Sequence, residues 1–457
     1  MRADRRSVVL AAIIAGALLA SRAVAQETIR DEEPPPSSVE QEITPMERSF
    51  RLLPERPGLV PWLKEQLKDA PPFFRDTKID VNLRTYYLNQ RKFDDSHAEA
   101  LASGGALTYR SGWLLDRLSI GATLYVSEPL YAPADRDGTS LLQDGQRGYA
   151  VLGQLYARVK LFEGQFLNLY RQTYDTPYMN RNDNRITPNT FEGYSLQGTV
   201  GGKDGGPALR YGGGYVTKIK ERTSDMFVSM SRQAGAAVDR GVGVLGALFS
   251  HGEASIGAID YYSEDIINIG YAEAKYVWSL PHDVGVLFAA QYTDERSVGG
   301  DLLKGYGFRT DQLGVKTEAS YAGAVLTLAY TRVGGGTDIQ KPWSGTPGYT
   351  SAMVQSFNRA GEQAFLANAS YDFSRLGAQG LTVYALYVRG WDRIDQRQKT
   401  PLPNEHEIDV DVQWRPAWKA MNGLWLRARY AHVEQYGKPG HTIQDFRLIA
   451  NYDFSLF

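Results

Sequence analysis

The 457-residue chain contains no cysteine. Disulfides, thiol catalysis, thiolate metal sites and a lipid-modified cysteine anchor are thereby excluded. Long apolar runs are nearly absent as well. After Val8–Ala20 nothing approaches the ~20 residues that a helix needs to cross a bilayer, and mean hydropathy is -0.36. Helical membrane spans are therefore not expected. A basic excess is missing: the formal charge is -2, which argues against nucleic acid as a partner. Catalytic signatures are missing too, with no HExxH, GxSxG or P-loop motif. The six histidines do not cluster, and His406, between Glu405 and Glu407, reads as a strand-end residue. Asp135-Arg136-Asp137-Gly138 places two acids before a glycine but lacks the rest of a calcium loop. No enzyme, metal or cofactor is expected.

What the chain does have begins with an export pattern. Arg2, Arg5 and Arg6 precede the apolar run, and Ala23-Val24-Ala25 gives a small-x-small cleavage site. Residues 1–25 read as a signal peptide. Without it the formal charge is about -5, so any functional charge has to be local. Residues 26–75 form an acidic, proline-rich periplasmic segment, extended through Asp31-Glu32-Glu33-Pro34-Pro35-Pro36. One short amphipathic turn is expected at Trp62–Leu67. Residues 76–457 show no further change of composition.

The strongest fold signal is the last strand. Phe446, Leu448, Ala450, Tyr452, Phe454 and Leu456 alternate with Arg447, Asn451, Asp453 and Ser455. That is period two carried to an aromatic terminus. A terminal strand leaves an open edge unless the sheet closes on itself. Similar alternation recurs in about eighteen segments, an even number as bacterial barrels require. Glycine (46) and tyrosine (28) are plentiful, which suits strands ending in aromatic girdles. Tight links such as Ser279–Asp283 contrast with long stretches around 127–147, 172–190, 293–310 and 333–360. The expected fold is all-β: a transmembrane antiparallel β-barrel of about 18 strands, with inward-folded extracellular loops forming an eyelet. It should sit in the outer membrane among lipid and lipopolysaccharide, inserted by the barrel assembly machinery. Phe457 reads as a terminal recognition signal for that machinery.

The face opposite lipid carries a pattern of its own. Arg84, Arg117, Arg158, Lys160, Arg210, Lys218, Lys220, Arg427 and Arg429 all fall on lumenal parity. Three i, i+2 pairs (Arg158/Lys160, Lys218/Lys220, Arg427/Arg429) stack cations about 7 Å apart along the pore. A row of guanidinium groups offers an anionic solute successive bidentate partners, and several weak sites let it leave as readily as it enters. Asp409 and Asp411 break the basic pattern and supply a possible acidic counter-wall. These residues point to passive, selective diffusion of small carboxylate-bearing solutes. A non-selective or structural porin is the alternative, followed by a loop-based adhesion protein or a rim enzyme.

Four stretches in order resemble the OprD family of substrate-specific outer-membrane porins. They are Phe73–Asp76 with Leu83–Arg91, Thr176–Asn180 with Asn182–Gly193, Phe357–Glu362 with Ser370–Phe373, and Asp445–Ile449 with Tyr452. The resemblance spans nearly everything from Phe73 to Phe457. It implies an eighteen-stranded barrel, monomeric or loosely trimeric, with a basic ladder facing an electronegative patch. It also implies substrates that carry a carboxylate, amino acids or organic acids. Carried over, the ladder comprises Arg84, Arg158, Arg427 and Arg429 on strands and Arg185 in the constriction loop.

Overall fold

A computed structural model describes residues 60–202, 205–282, 284–418, 421–437 and 441–456. The signal peptide, the acidic segment up to residue 59, Asp283 and Phe457 lie outside these residues. Eighteen long strands follow one another. They are β1 (Lys78–Arg91), β2 (His97–Arg110), β3 (Leu118–Tyr131), β4 (Tyr149–Phe162), β5 (Gln165–Gln172), β6 (Thr190–Gly201), β7 (Ala208–Lys220), β8 (Val242–His251) and β9 (Ala254–Ser263). Then come β10 (Ile267–Leu280), β11 (Val284–Arg296), β12 (Arg309–Tyr321), β13 (Ala324–Val333), β14 (Gln363–Asp372), β15 (Leu381–Trp391), β16 (Glu405–Trp414), β17 (Leu424–Gln435) and β18 (Thr442–Ser455). Each pairs antiparallel with its neighbours in the chain. β18 returns to β1, from Asp80 opposite Ser455 to Arg91 opposite Gln444. The sheet is closed and keeps no open edge, as spanning a hydrocarbon layer demands.

Alternation decides which face meets lipid. On β18, Phe446, Leu448 and Tyr452 are exposed while Asp445, Arg447 and Asn451 are buried. On β16, Ile408, Val410 and Val412 are exposed, and Glu405, Glu407, Asp409, Asp411 and Gln413 are buried. Apolar outside and polar inside is the reverse of a soluble domain and is the pattern a lipid-facing barrel requires.

The two ends differ. At one end the turns at 163–164, 252–253 and 322–323 are short, and β1 begins and β18 ends there. At the other end, loops 132–148, 173–189, 297–308 and 334–362 match the expected long stretches. Two more long loops, 221–241 and 392–404, were not anticipated. Their polarity resembles that of the strand ends they join, so no alternation marks their limits. The short-turn end is periplasmic and the loop end extracellular.

The expected amphipathic turn is α1 (Pro61–Leu67), followed by α2 (Pro72–Arg75). The Val60 amide donates to the Leu456 carbonyl at 2.8 Å and the Gly112 amide to the Phe73 carbonyl at 3.0 Å. These bonds tie the entering chain to the closing strand and to the first periplasmic turn. In that turn stands Arg117, expected on the lumenal wall. It is instead exposed and donates to the Leu161 carbonyl at 2.8 Å, because β3 begins one residue later.

Candidate functional site

Two extracellular loops fold into the barrel and meet there. Met179 of loop 173–189 bridges Ser344 of loop 334–362, and the Gly345 amide donates to the Tyr178 carbonyl at 3.2 Å. A Cβ on Gly345 would lie 2.1 Å from the Pro177 carbonyl oxygen, so the crossing needs glycine at that point. Tyr178 anchors the crossing to the wall. Its hydroxyl bonds Thr293 of β11 at 3.2 Å, and its amide donates to the Tyr261 hydroxyl of β9 at 3.2 Å. Trp343 is fully buried and donates to the Met230 carbonyl at 3.0 Å. An apolar cluster including Tyr178, Met179, Trp343 and Ile266 thus fills part of the lumen.

Loop 334–362 then stretches between two walls. Tyr349 donates to Glu273 of β10 at 2.7 Å. At the other side three consecutive amides bond the acids of β16. Met353 donates to Asp409 at 3.0 Å, and Val354 and Gln355 donate to the two oxygens of Glu407 at 2.7 Å each. Each of these carboxyl oxygens satisfies a backbone N–H of the loop that would otherwise go unpaired.

The remaining wall carries the arginines. In register, Arg429 of β17 stands opposite Arg447 of β18, and Arg427 opposite Ile449. Arg84 of β1 stands opposite Asn451. Arg447 and Arg429 therefore share one rung, Arg427 the next, and Arg84 the one below, stepping towards the periplasm by two residues each time. A step of two strand residues is about 7 Å. From the loops come Arg185 and Arg222. The Arg222 guanidinium bonds the Asn184 side chain at 2.5 Å. Arg185 donates to the Thr139 carbonyl at 3.1 Å, within electrostatic reach of Arg447 and Arg222.

Every arginine on the staircase has an acidic or amide companion. Asp411 lies 2.5 Å from Arg427 and 2.7 Å from Arg429. Arg447 pairs with Asp445 at 2.6 Å. Arg84 bonds Asn451 at 2.7 Å and Asp183 of loop 173–189 at 2.6 Å, and it also donates to the Arg185 carbonyl. Burial works to raise the Asp183 carboxyl, but the Arg84 guanidinium outweighs it and holds that group below the usual aspartate value.

The acids expected across the pore thus stand beside the ladder. Asp411 is the register partner of Arg429 on the adjoining strand, and Asp409 holds a loop. β16 and β17 are antiparallel neighbours with the same inward parity, so their polar side chains meet laterally.

Other expected residues disperse. Arg158 lies on the inward face of β4, 4.0 Å over the Phe166 ring. Lys160 is drawn to the periplasmic turns by Asp116 and Glu163, each at 3.2 Å. Arg210 of β7 shares its face with Thr199 of β6 and buried Leu248 of β8. A register shift between Glu192 and Gly193 comes just before the Lys218/Lys220 pair and inverts the parity it was expected to have. Lys218 is 45% exposed beside Glu192, off the lumenal row. Lys220 is fully buried over the rings of Tyr125 and Tyr149. Among the residues that join the site without belonging to the ladder set are Glu407, Arg447 and Arg222. The first was legible, since Glu405, Glu407, Asp409 and Asp411 repeat at i, i+2. Arg222 lies in a loop, where no periodicity places it.

Comparison with known proteins agrees with this architecture. The family model described as outer membrane porin, OprD family, matches residues 71–456. OccK9 (OpdG) of Pseudomonas aeruginosa superposes with a TM-score of 0.75 at 24% identity, over 84% of this chain and 100% of that one. OpdK of Pseudomonas aeruginosa, solved with vanillate, gives 0.72 at 20% identity over 84% and 100%. OccAB1 of Acinetobacter baumannii gives 0.73 at 17% identity over 86% and 100%. Among curated proteins none matches. With a closed eighteen-stranded barrel, two loops crossed in its lumen and a family model matched over nearly the whole barrel, the chain belongs to the OprD family of outer-membrane porins.

Proposed function

We propose that this porin lets small carboxylate-bearing solutes, organic acids or amino acids, diffuse selectively along the wall formed by β17, β18 and β1. The supporting observation is the staircase of Arg447 and Arg429, then Arg427, then Arg84, rung by rung towards the periplasm. A solute carboxylate exchanges water for a guanidinium at each rung. Asp411, Asp445 and Asp183 share those guanidinium groups, which keeps any single site too weak to trap the solute. The vanillate held by the related OpdK is an aromatic carboxylate, in keeping with this chemistry.

Planar-bilayer recording with a panel of organic acids, amino acids and neutral sugars tests the reading. Carboxylates are expected to permeate or block in preference to sugars of equal size. The paired replacement Arg427→Gln and Arg429→Gln should lower that preference by about tenfold, the scale of one lost charge-assisted contact. Permeation governed by size alone would show a general porin instead.

A further inference from the structure

The outer wall carries a charged pattern that the pore does not use. Six neighbouring strands, β15 to β18 followed by β1 and β2, each present a hydrogen-bond donor outward near their extracellular ends. These residues are Arg389, His406, His432, Gln444, Arg91 and His97. Parity fixes their direction. Buried Glu405 and Glu407 flank His406, buried Ala431 and Val433 flank His432, and buried Ile443 and Asp445 flank Gln444. Arg389 is the register partner of His406. Gln444 pairs with His432 on one side and Arg91 on the other, and Arg91 pairs with His97. Below this arc the same face turns apolar, with Tyr387, Ile408, Tyr430 and Phe446 exposed.

Two acids share the face. Glu434 lies 3.9 Å from His406; Glu99 is occupied by Arg136 and by the Tyr87 hydroxyl at 2.5 Å, and lies 3.9 Å from His97, whose Nε2 also meets the Asn89 side chain at 3.1 Å. Among the described residues, neither Arg91 nor Arg389 has an acidic partner, and Arg389 lies 5.3 Å over the Tyr436 ring. Elsewhere on the rim outward Arg309 and Arg296 are engaged, while outward Arg332 stands on β13, apart from the arc. Arg309 is bound to Asp294 at 2.6 Å, and Arg296 to Asn268 at 3.0 Å. Side chains at this level meet the head groups of the outer leaflet, with acyl chains against the apolar band beneath. Arg91 and Arg389 are four strand spacings apart, about 20 Å. A lone phosphate cannot touch both, whereas a broad head group with two phosphates can.

We propose that this arc docks an outer-leaflet glycolipid with a phosphorylated head group, the chemistry of the lipid A part of lipopolysaccharide. Its phosphates lie on Arg91 and Arg389, the histidines and Gln444 donate between them, and its chains run down the apolar face.

Titrating the full-length porin in detergent with bis-phosphorylated lipid A, its dephosphorylated form and inorganic phosphate tests this. The bis-phosphorylated lipid should bind and the other two should not displace it. Arg91→Gln with Arg389→Gln should weaken binding by about tenfold or more, as two surface cations contribute. The control Arg296→Gln with Arg309→Gln should stay within about twofold. Solute conductance, read on each variant, should be unchanged and reports an intact barrel. Equal retention of the dephosphorylated lipid, equal loss in the control, or no loss in the Arg91/Arg389 variant would overturn the proposal.

Discussion

At the scale of single residues, the pore wall is shaped by which charges share a partner. Asp411 serves two guanidinium groups at once, Arg427 and Arg429. Replacing it by asparagine keeps the shape and removes the shared charge. Both arginines then face the solute uncompensated, and a carboxylate should dwell longer on this rung. Single-channel blockade should show residence times lengthened severalfold and a lower maximal flux. The same change should cost about 1–3 kcal/mol of stability, since two cations lose their counter-charge. Unaltered dwell times would mean that the solute path avoids this rung. Arg427 and Arg429 were legible in sequence because i, i+2 spacing on an alternating strand fixes one face. Lys218 was misplaced by the same rule. One extra residue opposite the Glu192–Gly193 step inverts the parity beyond it, and nothing in Tyr215-Val216-Thr217-Lys218 announces the shift.

At the scale of elements, the constriction is a loop strung between two strands. Loop 334–362 is held at β10 through Tyr349 and at β16 through Glu407 and Asp409. Glu407 accepts from two adjacent amides with its two oxygens, which glutamine cannot do because one oxygen becomes an NH2 donor. Glu407→Gln should therefore release the stretch at Met353–Gln355 and leave the barrel folded. Expected in single-channel recording is a larger, noisier conductance with weaker discrimination among carboxylates. Hydrogen exchange should quicken at the Val354 and Gln355 amides while β16 stays protected. A quiet channel with wild-type exchange would show that the loop is held elsewhere. The strands were readable because lipid on one face and water on the other impose a strict period of two. The loop's path was not readable, since it follows tertiary contacts such as Met353 with Asp409, made by residues distant in sequence. The family resemblance supplied an eyelet formed by the 176–193 region, but not the crossing of that loop by 334–362.

At the scale of the whole molecule, closure of the sheet and its two-faced wall are one design, and β18 shows both. Its seam with β1 runs from Asp80–Ser455 to Arg91–Gln444, so the edge that an open sheet would leave is used up. This was legible from the closing strand and from the count of alternating segments, because the requirement comes from the bilayer and not from a particular side chain. The two faces of β18 should answer substitution in different ways. Leu448 points to lipid near the middle of the strand, and Arg447 beside it points into the lumen. Leu448→Arg should destabilise the folded barrel by about 2–4 kcal/mol, the cost of a cation in the hydrocarbon midplane. Arg447→Gln keeps a polar group on the lumenal wall but takes the partner from buried Asp445, so folding should weaken by about 1 kcal/mol, less than for Leu448→Arg, while carboxylate selectivity should fall with the loss of its rung. Urea unfolding from lipid vesicles reads the first effect and bilayer recording the second. If Arg447→Gln unfolded the barrel as readily as Leu448→Arg, the Arg447–Asp445 pair would be a structural clamp of the seam, and the solute staircase would have to begin at Arg429.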